Sequence, residues 1–385
     1  MNQLKKNTAY YHLPGLFEFY ELYRVFLPLF REHREYFYDW CEIGSVYGAP
    51  SDCIWGGGRT SFGDHDPQEI FALMQEYGIS ARLTFSNSLL GQEHLWDKKC
   101  NHLCTLFEKS EGVRNGVILY SDLLLEYLRK NYPGFYFVSS TTKVLTDFEQ
   151  FVRKVNREEF LYVVPDFRLN KVFDKLSTLT GAQKDKVEFL CNECCWFGCG
   201  DRKICYEAVS RKNLGENGSD HRCAAPDAGN GYRFSKAMEN PGFIGVDDMK
   251  NSYLPMGFSN FKIEGRGLGS ALILEFLLYY MTKPEYQLQV REEIYLDNML
   301  DLFLISPFNT FLLWYIISSA RSRTFSMSAS SGVANAYPHA IPTSVGMIFL
   351  LLSIAISCCI FWIKRSIWNS AASGMRQQNS SPPIR

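Results

Sequence analysis

From about residue 40 to residue 300, short apolar segments alternate with amphipathic helical stretches, and this alternation constrains the fold more than any other feature of the chain. The strand candidates are 41–47, 82–87, 116–121, 135–140, 160–165, 186–190 and 260–264. They are β-branched or aromatic and nearly continuously apolar, as strands covered on both faces are. Helical patterns lie between them at 67–77, 122–131, 147–156 and 169–179. One strand followed by one helix, with short links, is the (β/α) pattern. Seven strands are visible and an eighth is expected around 242–246, which predicts a (β/α)8 TIM-like barrel. A flavodoxin-like open sheet is the alternative, usually built from fewer units.

Residues 11–38 read as one aromatic amphipathic helix ahead of the barrel. The expected organisation is therefore an N-terminal helical region over 1–39 and a barrel over 40–297. Residues 207–240 are polar and Gly/Asn-rich and read as a long loop, of the kind that is usually functional or disordered.

A chain of 385 residues with 46% hydrophobic and 21% charged residues can bury a large core. Its formal net charge of −1 argues against bulk electrostatic binding to nucleic acid. The N-terminus lacks the uninterrupted apolar run of a secretory signal. That places the barrel in the cytoplasm, where thiols stay reduced and clustered cysteines favour metal binding or catalysis over disulfides. Toward the C-terminus, 346–363 is uncharged, long enough to span a thin bilayer core, and followed by Lys364 and Arg365. Residues 302–319 are also mostly apolar but contain Pro307 and Asn309. If both span, they form a membrane hairpin with both ends cytoplasmic, as positive-inside requires, although Arg321 and Arg323 count against it. Residues 298–365 thus read as one or two transmembrane helices tethering the barrel, and 366–385 as a disordered Ser/Gln/Pro tail.

Five of the 12 cysteines fall within residues 191–205: Cys191, Cys194, Cys195, Cys199 and Cys205; Cys223 follows. Thiolates at this density are the ligands that zinc and iron–sulfur clusters use. The run begins where the apolar segment 187–190 ends, and the carboxyl ends of barrel strands are where such folds keep their active sites. Cys195 and Cys199 are spaced like a pair on a tight loop or first helical turn, with Cys223 closing over them. Cys194, Cys205 and Cys191 compete for a fourth place, Cys191 being the simplest core residue. A zinc ribbon fits poorly, because there is no second regular Cys-x2-Cys pair. Cys41, Cys53, Cys100 and Cys104 read as packing residues.

The same strand ends carry Asp166, Glu193 and Glu264, which suit acid–base chemistry. Beside them stand Arg168, Arg202, Lys262 and Arg266, which suit a carboxylated or phosphorylated ligand. The competing reading is a set of structural ion pairs closing the rim. Gly56-Gly-Gly-Arg59 is either a ligand clamp, with Arg59 as a further cation, or a tight turn at the rim. Asp64-His65-Asp66 before Pro67 reads as a helix N-cap, not a metal site. No Ser-His-Asp or Cys-His arrangement is present.

Asn192-Glu193 followed by Cys195, Cys199 and Arg202, then Phe261-Lys-Ile-Glu-Gly-Arg266 about sixty residues on, resembles the U32 or collagenase-like peptidases. Asp166-Phe-Arg168 looks like a barrel strand of the same family, and the resemblance covers about residues 40–296. It implies a (β/α) barrel. Relatives in that family carry out oxygen-independent hydroxylation of ubiquinone precursors, transfer RNA or ribosomal RNA, and hold a four-cysteine [4Fe–4S] cluster, with prephenate implicated as oxygen donor. The chain departs from their His-Gly-x-x-Cys, having Asn192-Glu-Cys-Cys195 and a three-residue gap to Cys199. What the resemblance implies is an iron–sulfur enzyme acting on a small acidic or aromatic substrate or on RNA. Cys195, Cys199 and Cys223 would be ligands, with Cys194 or Cys205 the fourth. The alternatives are a peptidase-like hydrolase with Asp166 and Glu264 as its acid–base pair, or a membrane-tethered scaffold with a structural zinc.

Overall fold

Eight parallel strands make one sheet, in the order β6-β5-β4-β3-β2-β1-β8-β7. They are β1 Ala9–Pro14, β2 Cys41–Gly48, β3 Ser80–Phe85, β4 Gly116–Leu119, β5 Tyr136–Ser139, β6 Phe160–Val163, β7 Glu188–Leu190 and β8 Asn260–Lys262. The two edge strands meet. Val163 pairs in parallel with Val187, and its N–H donates to the Lys186 carbonyl at 2.8 Å. The sheet thereby comes round on itself, which leaves no long row of unpaired backbone groups. This is a computed structural model, and it describes residues 7–58, 65–193, 195–216, 221–226, 228 and 233–295.

Each strand is followed by helix, as the alternation predicts. The main helices are Tyr20–Glu32, Pro67–Glu76, Lys98–Glu108, Asp122–Asn131, Phe148–Val155, Phe173–Ser177, Arg202–Asn213 and Ser270–Met281. Their starts are written in the sequence. Asp66, Asp97, Ser121 and Asp147 each accept a hydrogen bond from the backbone N–H two or three residues on. This satisfies donors that a helix N-terminus otherwise leaves open. Asp66 precedes Pro67 at the first helical turn, so Asp64-His65-Asp66 ends in a cap as expected.

The period-two alternation of the strands separates two apolar compartments. Tyr11, Leu13, Ala81, Leu83, Val117, Leu119, Phe189 and Phe261 join the large core between sheet and helices. Tyr47, Ile118, Tyr136, Val138, Val164 and Leu190 form a second, smaller cluster inside the barrel. Gly116 makes room for this interior. A Cβ there would lie 2.5 Å from the Tyr136 ring.

Three expectations are corrected. Residues 11–38 are not one helix: Ala9–Pro14 is the first barrel strand, and the helix starts only at Tyr20. Gly15, at φ 92°, turns the chain between them, and the Pro14-Gly15 pair was the available break signal. The eighth strand is therefore β1. Residues 242–246 instead connect elements, with Phe243 and Ile244 buried and the Ile244 N–H donating to the Cys191 carbonyl at 3.0 Å. Finally, the polar stretch expected as loop from residue 207 is helical through Asn213. Its buried face is Arg202, Tyr206 and Ser210, so the helical period is carried by polar residues and leaves no apolar stripe to read. The expected spans at 302–319 and 346–363 and the tail lie outside the described residues. Among the described residues no helix is long and apolar enough to cross a membrane.

Candidate active site

The register of the strands stacks an ionic group inside the barrel. Glu188 of β7 lies opposite Asn260 of β8, and Leu190 lies opposite Lys262. Tyr10 and His12 of β1 face the same two positions of β8 from the other side. Arg82 of β3 completes the group. Its Nη1 donates to Glu188 Oε2 at 2.5 Å and its Nε to the Tyr136 hydroxyl at 2.8 Å. The Tyr136 hydroxyl is 2.7 Å from Ser80 Oγ. His12 Nδ1 sits 2.9 Å from Ser45 Oγ, and its Nε2 lies 3.4 Å from Asn260 Oδ1 and 3.6 Å from Glu188 Oε2. Apart from the half-buried Tyr10, these side chains are buried.

Their charge states follow from that burial. For Glu188, burial pushes the carboxyl up, but Arg82 first, then His12 and Lys262, overcome it and hold the group at about 2. His12 is held down at about 3 by burial and by Arg82, so it is neutral near pH 7. Lys262 is lowered to about 7, mainly by burial, with Arg82 adding to the effect and Glu188 opposing it. Its Nζ lies 3.5 Å from Glu188 Oε1 and 3.2 Å from the centre of the Tyr47 ring. Neither Lys262 Nζ nor Glu188 Oε1 makes a hydrogen bond.

Above this group, at the carboxyl ends of the strands, is a cavity of about 310 Å³. Tyr47, Thr84, Ser86, Ile118, Leu190, Lys262 and Glu264 line it from the strands and their ends. Gly57, Gly58, Thr141, Cys195, Trp196, Tyr206, Cys223 and Arg266 are among the loop and helix residues around it. Thr84 Oγ1, Ser86 Oγ and Thr141 Oγ1 are buried without a hydrogen-bond partner. Arg266 Nη2 donates to the Gly57 carbonyl at 2.6 Å, and its Nη1 is 3.5 Å from Glu18 Oε1. Gly57 and Gly58 thus form part of the rim. A Cβ at Gly57 would lie 2.5 Å from the Ser86 carbonyl, and Gly58 has φ 76°, so both positions favour glycine. Asn192 fixes the last strand end, its Oδ1 accepting from the Glu264 N–H at 2.7 Å and its Nδ2 donating to the Glu264 carbonyl at 3.1 Å.

The expected site residues divide between this cavity and a second ionic group beside it. Arg202, buried at the start of its helix, donates to Asp166 Oδ2 at 2.8 Å and to Glu193 Oε2. Its Nη2 also donates to the Tyr206 hydroxyl at 3.0 Å. Glu193 Oε1 accepts from the Cys195 N–H at 2.9 Å, so Arg202 anchors the cysteine loop against the strand ends. Arg168 Nε lies 3.1 Å from Asp166 Oδ1. Asp166, Glu193, Arg168 and Arg202 therefore meet in this group and are not among the residues lining the cavity. Glu264, Lys262 and Arg266 are. Of the expected thiols, Cys195 and Cys223 line the cavity. Cys199 is buried and Cys205 half-buried on its helix, both away from the lining. Arg59 and Cys194 lie outside the described residues. Among the described residues no three His, Cys, Asp or Glu side chains are grouped to hold a metal ion. The four cysteines expected to pack are all buried, with Cys53 Sγ 3.0 Å from Cys100 Sγ.

Arg82, Glu188 and His12 were not anticipated. Glu188 had a signal, a carboxylate in the middle of the apolar segment Val187-Glu-Phe-Leu190. A buried charge needs a partner of opposite sign on another strand, and Arg82 was the charged residue in the strand candidate 82–87.

No protein-family model matches the sequence, and no curated protein matches it. A solved structure described as the U32 peptidase Mk0906 is similar at 13% sequence identity, over 69% of this chain and 96% of that one, with a TM-score of 0.42.

The buried charges give two predictions. Glu188→Ala strands the Arg82 guanidinium and should lower unfolding stability by about 3–5 kcal/mol, while Arg82→Met with Glu188→Leu should recover most of it. Urea denaturation measures both, and equal losses in the single and double variants would contradict the pairing. Lys262 carries the opposite sign. Its proton binds more tightly in the unfolded chain, so its burial costs stability below about pH 7 and progressively less as pH rises toward 10.5. Lys262→Met should raise the thermal midpoint near pH 7 by roughly 2–4 °C for each kcal/mol relieved. That gain should shrink in scans run at rising pH.

Proposed function

We propose that this chain is an enzyme acting on a small, oxygen-rich, carboxylated molecule at the mouth of the barrel. The observation that carries the reading is the set of buried polar atoms left without hydrogen bonds around one cavity: Lys262 Nζ and the hydroxyls of Thr84, Ser86 and Thr141. Such atoms are normally satisfied, because leaving one unpaired costs about 1–3 kcal/mol. A ligand rich in oxygen supplies the missing partners. Arg266, held at the rim by Gly57, is the cation for the ligand's carboxylate. Trp196 and Tyr47 offer aromatic faces to an unsaturated or ring portion. Lys262 and Glu264 are the acid–base groups, Lys262 because its proton affinity lies near neutrality, where proton transfer in both directions is efficient.

A second reading keeps the iron–sulfur cofactor, and what favours it is that Cys195 and Cys223 share the cavity lining. Cys199, with Cys194 or Cys205, would supply the remaining two thiolates. A cluster bound there would bring redox chemistry to the same mouth. Iron, sulfide and zinc content of protein prepared without oxygen decides it. About four iron and four sulfide per chain support the cluster, one zinc supports a structural metal, and no metal removes both.

The principal reading is tested with a panel of small carboxylates, from 2-oxo and 2-hydroxy acids to aromatic acids, by thermal shift. At a concentration of about 100 Kd, a binder stabilises the fold by about 2.7 kcal/mol, a shift of several degrees. The shift should be lost in Arg266→Gln and reduced in Thr84→Val. If no member of the panel moves the midpoint, the mouth is not a small-carboxylate site.

A further inference from the structure

Lys262 is unusual among the charged residues of the barrel. Arg82 and Arg202 are both engaged by carboxylates at hydrogen-bond distance, at 2.5 and 2.8 Å. Lys262 is as buried as they are, yet its amine makes only a looser ion pair, 3.5 Å from Glu188 Oε1, and lies against the Tyr47 ring. The two form an ion pair without a hydrogen bond, so the hydrogen-bonding capacity of both atoms is left unmet. Glu188 spends its other oxygen on Arg82, which neutralises it. The amine is thus kept out of water, next to a carboxylate already paired, on the floor of the cavity that is lined by unpartnered hydroxyls.

These are the surroundings that make a lysine a nucleophile: desolvation favours the free amine, and Arg82 offsets much of the pull of Glu188 on its proton. We propose that Lys262 forms an imine with the carbonyl group of a small 2-oxo acid bound in the barrel mouth. The inference rests on the reading of that mouth as a carboxylate site and names its substrate class.

In the first step the Nζ lone pair attacks the carbonyl carbon, and the carbonyl π electrons move to oxygen. Oxygen takes up the proton that nitrogen loses, giving a carbinolamine. Protonation of its hydroxyl then releases water as the nitrogen lone pair closes the C=N bond. The net change is amine plus carbonyl plus one proton to protonated imine plus water, with no oxidant or reductant. The hydroxyls of Thr84, Ser86 and Thr141 are the groups to hold the departing oxygen, Glu264 is the acid at the cavity wall, and Arg266 receives the carboxylate. The protonated imine would act as an electron sink for bond-breaking at the adjacent carbon.

The test is reductive trapping. The full chain is incubated near neutral pH with pyruvate, glyoxylate or 2-oxoglutarate and cyanoborohydride, and digested for peptide mapping by mass spectrometry. The reduced adduct should sit on Lys262 at least about tenfold above any exposed lysine, because an amine of pKa about 10.4 is almost wholly protonated under those conditions. Lys262→Met should lose the adduct while keeping its fold. In parallel the same three acids are tested by thermal shift without reductant. A midpoint shift with no adduct on Lys262 overturns the imine and leaves the carboxylate site standing. Neither shift nor adduct overturns both. Labelling spread evenly over surface lysines also overturns the imine.

Discussion

The buried Arg82–Glu188 pair is the interaction on which the rest of this barrel depends. A (β/α) barrel is usually filled with branched apolar side chains, but here its middle is filled by a guanidinium, a carboxylate and an imidazole. Neither charge can stand alone, because an unpaired ion in that setting costs far more than a hydrogen bond returns. The two come from strands β3 and β7, more than a hundred residues apart. Their meeting therefore requires the sheet to come round on itself. The same ladder that brings Glu188 inward places Lys262 one layer higher, beside the cavity.

A second arginine organises the rim in the same manner. Arg202 takes one oxygen from Asp166, after β6, and one from Glu193, after β7. Glu193 in turn holds the Cys195 backbone. Helix, strand ends and cysteine loop are tied into one piece, and Asp166 and Glu193 have their oxygens committed to that task. Glu264 is the acidic residue of the expected set that lines the cavity. Its backbone is gripped on both sides by the Asn192 amide, so the end of β8 is set against the end of β7.

The sequence shows a barrel clearly because its strands are apolar on both faces and its helices carry caps at their starts. It shows the site less clearly for one physical reason. Periodicity reports burial only when the buried face is apolar. The helix Arg202–Asn213 buries Arg202, Tyr206 and Ser210, and its part from residue 207 on read as loop. β1 hides its register within a run of aromatics that continues into the next helix, so Tyr10 and His12 gave no sign of facing inward. The resemblance and the strand-end rule together point to Lys262, Glu264 and Arg266. They point equally to Asp166, Glu193 and Arg202, since spacing along a chain does not say which carboxylate an arginine has already taken.

The proton affinity of Lys262 follows from how these charges cancel. Arg82 repels its proton and Glu188 attracts it, and the two form one neutral pair. His12, held uncharged by its own burial, adds little to the balance near pH 7. With those terms offset, removal from water becomes the deciding influence on the amine. An isolated buried carboxylate near Lys262 would have kept it charged and tightly paired; an isolated arginine would have left the interior with an uncompensated ion. The pair avoids both, and it does so beneath a cavity whose hydroxyls are also unpaired. Stability is thus given up at the same few residues where the proposed ligand would restore it, through hydrogen bonds that the fold leaves unmet.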